Sequence, residues 1–362
     1  MKTIRTVNGF TREELLSLAW EKPMMAQIAV TENCNQKCIF CFQACSPDRK
    51  FSSLSLNQWK IIIRKLKNIG VRILNFSGGE VFIYPYLLDL IKWAKLEMNF
   101  SIHINTNGTF DVSDFIEYVD GFIFSVHGLN KVHDEIVGKR NAFSLLEKNI
   151  SIISEKKVNI LINMVLLKSN YHQILDVFRY FDAKYRISKF APFIPIQSLF
   201  AKEYDTIAVK MDKNLIKDYI DKLKKIPEDK LDLKHGFQSI FINKLDFYKS
   251  AKIPLPNCAA GKYKIIIDYN GDVYPCNFFK GDEYYCGNIL EEDEYEIWKN
   301  GKGFIPFRKL ILENRIPKEC SMCLKKERCF SGCRAWSDKY QKGGFYESKD
   351  IRCSIGNAYI GN

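Results

Sequence analysis

Twelve cysteines dominate the chemistry open to this 362-residue chain. Cys34, Cys38 and Cys41 follow one another in a C-x3-C-x2-C spacing. Soft thiolates this close select zinc or an iron–sulfur cluster. Zinc would need a fourth ligand, which Cys45 could supply. A second, sparser series holds Cys258 and Cys276, then Cys320-x2-Cys323-x5-Cys329-x3-Cys333, then Cys353; its Cys320-x2-Cys323 step is also a zinc-knuckle spacing. Cys45 and Cys286 stand outside both series. Polar strings accompany the thiols: Ser77-Gly78-Gly79-Glu80, Asn105-Thr106-Asn107-Gly108, Ser125-Val126-His127-Gly128 and His133-Asp134. In the first, glycines permit close backbone approach and a carboxylate can pair with an ammonium group.

So many cysteines would suit the disulfide scaffold of a small secreted domain, but this chain is large. Its opening stretch, Met1 to Lys22, has neither the apolar run of a signal peptide nor a span of membrane length. A cytoplasmic protein with metal-binding thiols is expected, with no membrane partner. Hydrophobic residues at 46% and charged residues at 27% are ordinary globular usage, which excludes a disordered chain.

Positioning these groups requires regular elements. Strand-like runs are predicted at Ala26–Val30, Val71–Phe76, Ser101–Asn105, Phe122–Val126, Asn159–Val165 and Arg186–Phe190. Between them, Leu56–Ile69, Tyr86–Leu96, Phe143–Glu155 and His172–Tyr180 carry apolar residues at helical spacing. Repeated βα order implies a parallel sheet with right-handed crossovers. The Cys34 group and the polar strings follow strand ends, where sites form in such folds. Beyond Pro195 the alternation stops, and Met211 to Lys225 reads as a basic amphipathic helix. From about Pro254 the chain is Cys-rich, with turns at Asn270-Gly271 and Lys342-Gly343-Gly344, and such a region needs metal staples to fold. The expected division is an N-terminal segment 1–24, a parallel β/α domain 25–200, a helical bridge 201–253 and a Cys-rich, metal-stapled domain 254–362.

The 54 basic against 42 acidic residues give a formal charge of +12, which steers acidic partners toward the protein. The lysines are spread over many segments and form no single stripe, so a solvated basic surface is expected and no nucleic-acid partner.

The C-x3-C-x2-C loop after the first strand of a β/α fold resembles the radical S-adenosylmethionine superfamily. The resemblance implies an α/β fold, a partial (β/α)6 TIM-like barrel. It also implies a 4Fe-4S cluster on Cys34, Cys38 and Cys41 whose open iron chelates S-adenosylmethionine; reductive cleavage then yields a 5'-deoxyadenosyl radical that abstracts a substrate hydrogen. Phe40 matches the aromatic position that packs on adenine. Gly78, Gly79 and Glu80 look like the motif for the methionine amino group, although the usual following proline is Val81. Asn105 and Thr106 resemble a ribose-contacting strand end, and Ser125 and Asn163 sit where relatives contact the nucleoside. Val137 stands where the family often has an arginine, with Lys139 and Arg140 close behind. His127 and His133 are expected to be structural.

The second cysteine series resembles the SPASM extension of that superfamily, a Cys-rich domain with two auxiliary 4Fe-4S clusters. By resemblance, Cys320, Cys323, Cys329 and Cys353 complete the outer cluster, while Cys258, Cys276 and Cys333 hold the inner one. Its fourth ligand is missing, because Lys262 to Lys264 occupy the stretch where some relatives have a cysteine; either Cys286 fills the position or one iron stays open. Sulfatase-maturing relatives use an aspartate after the Cys276 position as base, whereas this chain has Asn277. Peptide maturation by crosslinking, thioether formation or epimerisation is therefore the expected function, with a peptide substrate and with Cys45 and Cys286 as candidate hydrogen donors. Only 33 residues precede Cys34, so a leader peptide is expected to bind elsewhere or through a separate protein. Flavodoxin or ferredoxin, both acidic, are the expected electron donors. Tetrapyrrole side-chain modification is the alternative enzyme reading, and a non-catalytic iron–sulfur or zinc-stapled protein is the alternative of another class.

Overall fold

In the computed structural model, the described residues are 21–194, 213–232, 258–313, 315–323, 331–335, 337, 344–348 and 350. Six parallel strands carry the first part: β1 (Met25–Thr31), β2 (Ile73–Gly78), β3 (Ser101–Thr106), β4 (Gly121–Ser125), β5 (Asn159–Val165) and β6 (Lys189–Phe193). Every residue of β1 is buried, as a strand with both faces covered requires. Met25, Ile73, Ile123, Leu161 and Ala191, one from each of five strands, form a small apolar layer of their own. The crossovers contain helices α1 (Leu56–Asn68), α2 (Leu87–Leu96), α3 (Lys131–Val137), α4 (Ala142–Ser154) and α5 (Ile174–Tyr185). Helix α1 starts at Ser55 because its hydroxyl accepts from the Gln58 N–H while the Gln58 side chain reaches back to the Ser55 N–H, a reciprocal capping box. Its Trp59, Ile62, Ile63 and Leu66 supply the buried stripe.

Two elements differ from expectation. Arg186 is not a strand residue: the apolar spacing of Val177, Phe178, Phe181 and Tyr185 carries α5 onward, and Arg186 ends it in the left-handed region at φ 49°. The sixth strand starts three residues later, at Lys189. Helix α3 was not anticipated, its seven residues being too few for a periodic signal. Its Asp134 carboxylate accepts from the N–H groups of Asn141 and Phe143, and so caps α4 from outside.

Within the expected bridge, α6 (Lys213–Leu223) docks through the Tyr219 hydroxyl, which donates to the Pro192 carbonyl at 2.9 Å. Leu231 pairs with Phe190. The Cys-rich part adds β7 (Lys264–Ile267) and β8 (Val273–Tyr274). The sheet order is β6-β5-β4-β3-β2-β1-β7-β8, with β7 parallel to β1 and β8 antiparallel to β7. The C-terminal part therefore extends the barrel sheet, and its Ile265, Ile267, Val273, Phe279 and Phe307 belong to the main core. Helices α7 (Glu294–Asn300) and α8 (Ile305–Leu312) cover it. Asn68 of α1 donates to Glu294 at 3.0 Å, and Lys65 donates to the Glu292 carbonyl at 2.7 Å. The architecture is a partial barrel followed by a Cys-rich unit. No helix among the described residues is long and apolar enough to cross a membrane.

Candidate iron–sulfur and nucleoside site

The Cys34–Cys41 loop leaves β1 at the C-terminal edge of the sheet and is pinned from three sides. Below it, the Gly79 N–H donates to the Thr31 carbonyl and the Glu80 N–H to the Asn33 carbonyl, both at 2.8 Å. A Cβ on Gly78 would stand 2.1 Å from the Thr31 oxygen, and one on Gly79 would stand 2.4 Å from the Asn33 oxygen; only glycine lets these two backbones touch. On one side, the N–H groups of Lys37 and Ile39 donate to the carbonyls of Val137 and Ile136 at the end of α3. On the other, the Asn107 amide donates to Asn35 Oδ1 at 2.8 Å and Asn35 Nδ2 donates to the Thr109 hydroxyl at 2.9 Å.

The thiols of Cys34, Cys38 and Cys41 lie within electrostatic reach of one another. Burial pushes the Cys34 thiol up to about 11 and raises Cys38 as well, so neither sheds its proton without a metal partner. Cys41 is held down at about 6 because the Cys45 thiol and the backbone N–H groups of the turn donate to it. The Cys45 N–H lies 3.3 Å from Cys41 Sγ. Gln36, 2% exposed, accepts from the Cys38 thiol, and its Nε2 is buried without a hydrogen-bond partner. A buried N–H donor beside a cysteine sulfur fits a thiolate-held cluster, whose sulfurs accept such bonds. The residues present therefore fit a 4Fe-4S group held by Cys34, Cys38 and Cys41. Among the described residues, no three His, Cys, Asp or Glu side chains converge on a single-ion site.

Glu80 is 1% exposed. Its carboxylate accepts from the Thr106 hydroxyl at 2.9 Å, the Asn107 N–H at 2.8 Å and the Phe82 N–H at 3.3 Å. Burial pushes its pKa up to about 7 against these lowering bonds. The group expected to meet a ligand ammonium thus ties β2 to the end of β3, and Thr106 is occupied with it. Asn105 donates to Asn75 at 3.1 Å. Ser125 and Asn163 are half-buried and directly opposite in the β4–β5 register. Phe40 packs on Ile136, Val165 and Leu167 and lies edge-on to His127 at 4.6 Å. His127 Nδ1 accepts from the Val165 N–H and His133 Nδ1 from the His127 N–H, both at 3.1 Å. Burial lowers both imidazoles, His133 to about 4, so these rings stay neutral and brace the β4 end. Lys139 reaches the Asn35 carbonyl at 3.5 Å.

A second thiol group gathers Cys258, Cys276 and Cys333, each within electrostatic reach of Cys276. Burial pushes Cys276 up to about 12. The Cys276 turn faces the first loop through a ring contact between Phe42 and Phe278 at 5.5 Å, so the loops that carry the two thiol groups touch. Cys286 is elsewhere. Its thiol lies 3.5 Å from the Tyr284 carbonyl, in the apolar core with Trp298, Phe304 and Phe307, and a Cβ on Gly303 would stand 2.8 Å from its sulfur. The structure groups Cys286 with neither thiol set, and Cys45 with Cys41. Cys320 and Cys323 share a turn closed by the Cys323 N–H on the Cys320 carbonyl at 3.1 Å; Cys329 and Cys353 lie outside the described residues.

Asn35 and Gln36 escaped sequence reasoning. Their signal was weak: two amides inside a cysteine loop, meaningful only once strand β3 is seen beside them.

Comparison with known proteins agrees with this geometry. The radical SAM superfamily model matches residues 28–181, and the SPASM iron–sulfur cluster-binding domain matches residues 258–324. The chain is 26% identical to a cysteine-type anaerobic sulfatase-maturating enzyme of Clostridium novyi, over 84% of this chain and 86% of that one. It is 25% identical to the mycofactocin maturase MftC of Mycobacterium tuberculosis, over 98% and 87%. Streptococcus suis SuiB, solved with its precursor peptide SuiA, shares the fold with a TM-score of 0.69 at 22% identity, over 95% and 79% of the two chains. With the thiol loop at the barrel edge and the Cys-rich unit joined to β1, the chain is a radical SAM enzyme with a C-terminal SPASM domain.

Proposed function

We propose that this enzyme matures a ribosomally synthesised peptide by abstracting hydrogen from an unactivated carbon, leading to a crosslink, a thioether or an epimerised residue. The observation that carries the reading is Asn277. It follows Cys276 in the turn facing the first thiol loop, and an amide cannot act as the base that sulfatase maturation uses there. MftC, a maturase by name, supports the reading by matching along nearly the whole chain.

When bound, a 4Fe-4S cluster with S-adenosylmethionine supplies one electron to break the sulfonium bond and deliver a 5'-deoxyadenosyl radical. The chain's own residues do the rest. Cys34, Cys38 and Cys41 hold the cluster, and Gly78 and Gly79 bring a bare backbone edge against the loop. Phe40, half-exposed on an apolar bed of Ile136, Val165 and Leu167, offers a ring face for adenine. Ser125 and Asn163 offer paired polar groups at adjacent strand ends. Cys258, Cys276 and Cys333 hold the inner auxiliary cluster, and Cys320, Cys323, Cys329 and Cys353 the outer one. Flavodoxin or ferredoxin would deliver electrons to the basic surface. We assign the protein to the cytoplasm.

The test is to incubate the reduced, cluster-loaded enzyme anaerobically with S-adenosylmethionine and the small peptides encoded beside it, and to read peptide mass and residue stereochemistry. A changed peptide is expected. Deoxyadenosine formation that no peptide stimulates, or a new cysteine- or serine-derived aldehyde on a sulfatase peptide, would refute the reading.

A further inference from the structure

Three cations crowd the inner thiol group. Lys262 is 0% exposed, and its ammonium donates to the Cys258 carbonyl at 3.2 Å. Arg334 is 1% exposed; its guanidinium donates to the carbonyls of Phe345 at 2.8 Å, Ser348 at 2.9 Å and Ser331. Lys264, half-buried, opens β7 opposite Met25 of β1. Burial works against the charged form of all three, and thiol positions work to keep it: Cys258 on Lys262, Cys276 and Cys258 on Lys264, and Cys258, Cys333 and Cys320 together with Asp350 on Arg334. Asp350 is 4% exposed and accepts from the Cys333 N–H at 2.9 Å.

Taking a cation out of water costs several kcal/mol unless an opposite charge compensates it. Protonated thiols offer no such charge. Three thiolates on an oxidised 4Fe-4S core, by contrast, make a net anion, and one-electron reduction makes it more negative. A cationic wall therefore favours the reduced state, since net charge and nearby donors set cluster potentials. Two of its members, moreover, stand in the Lys262 to Lys264 stretch, where some relatives have a further cysteine and this chain has none.

We propose that Lys262, Lys264 and Arg334 form a cationic cage around the inner auxiliary cluster that raises its reduction potential and suits it to accept an electron. The cage rests on the iron–sulfur reading of Cys258, Cys276 and Cys333 and is independent of the substrate. The experiment is an EPR-monitored redox titration of the full-length, reconstituted protein carrying C34A/C38A/C41A, so that only auxiliary signals remain. The signal lost on adding C276A belongs to the inner cluster; its absence from the parent, with low iron and sulfide, would refute the cluster reading itself. K264M and K262M are expected to shift the inner midpoint to more negative potential, whereas K264R and K262R keep it. A loaded K264M with an unchanged or more positive midpoint overturns the cage. If K262M fails to retain the inner cluster, retention in K262R supports a charge requirement, and loss in both assigns Lys262 to packing and removes it from the cage.

Discussion

Replacing Glu80 with alanine separates a structural brace from a ligand contact. In E80A the buried Asn107 N–H and the Thr106 hydroxyl lose their acceptor, and each stranded donor costs about 1–3 kcal/mol. The carboxylate also carries an opposing term. Burial raises it from 4.5 to about 7, so the folded state favours the protonated acid. Stability from this group is full below about pH 4.5 and falls as pH rises through 7, by about 3 kcal/mol in all. Alanine has no such slope. At pH 6, E80A should therefore be destabilised by about 2–5 kcal/mol, a melting temperature lower by about 3–7 °C. At pH 8.5 the gap should shrink by a further ~1.4 kcal/mol, the part of the loss not yet incurred at pH 6, because the wild type then holds a buried charge. Thermal melts of anaerobic, cluster-loaded protein at both pH values check this. A gap that is absent at pH 6, or that widens at pH 8.5, would sink the argument. Intact melting with weakened S-adenosylmethionine binding would return Glu80 to the role of ligand partner.

Gly79→Ala places a Cβ 2.4 Å from the Asn33 oxygen, backbone against backbone; the loop must shift, and iron retained at the N-terminal site after reconstitution should fall severalfold, while G281A, with nothing near its Cβ, should load normally. Asn35→Ala removes two bonds between the thiol loop and the β3 end at about 1 kcal/mol each, and should weaken S-adenosylmethionine binding by about tenfold in equilibrium dialysis while the cluster stays loaded.

Much of the fold was legible because its signals are local. The β1, β3 and β5 runs are apolar stretches closed by polar strand ends, and helices such as α1 announce themselves by an apolar stripe at helical spacing. What was not legible depends on contacts distant in sequence. Asn35 and Asn107 are 72 residues apart and nothing in either neighbourhood announces the other. The pairing of β7 with β1 joins segments more than two hundred residues apart, and no local pattern in either announces it. Arg186 was misplaced because an apolar run after a helix reads as strand until the helix's own stripe is followed to Tyr185. The three-cysteine loop was legible because ligand spacing is itself a local property. The company of Lys262, Lys264 and Arg334 was not, since a lysine in sequence looks like solvated surface.

The β1–β7 pairing also acts as a vernier. Residues Met25 to Ile28 match Lys264 to Ile267 one for one, and the first thiol loop leaves one end of this ladder while Cys258 enters at the other. Sliding one strand past the other proceeds only in whole residues, about 3.3 Å apiece, and a single step swaps the faces of every side chain. The offset between the strands that carry the two thiol groups is thus digitised: thermal motion cannot tune this register continuously, and neither can a point substitution. A change of length in the flanking turns, at Asn270-Gly271 or in the Cys276 loop, is the kind of change that can move a thiol group while leaving the ladder in register.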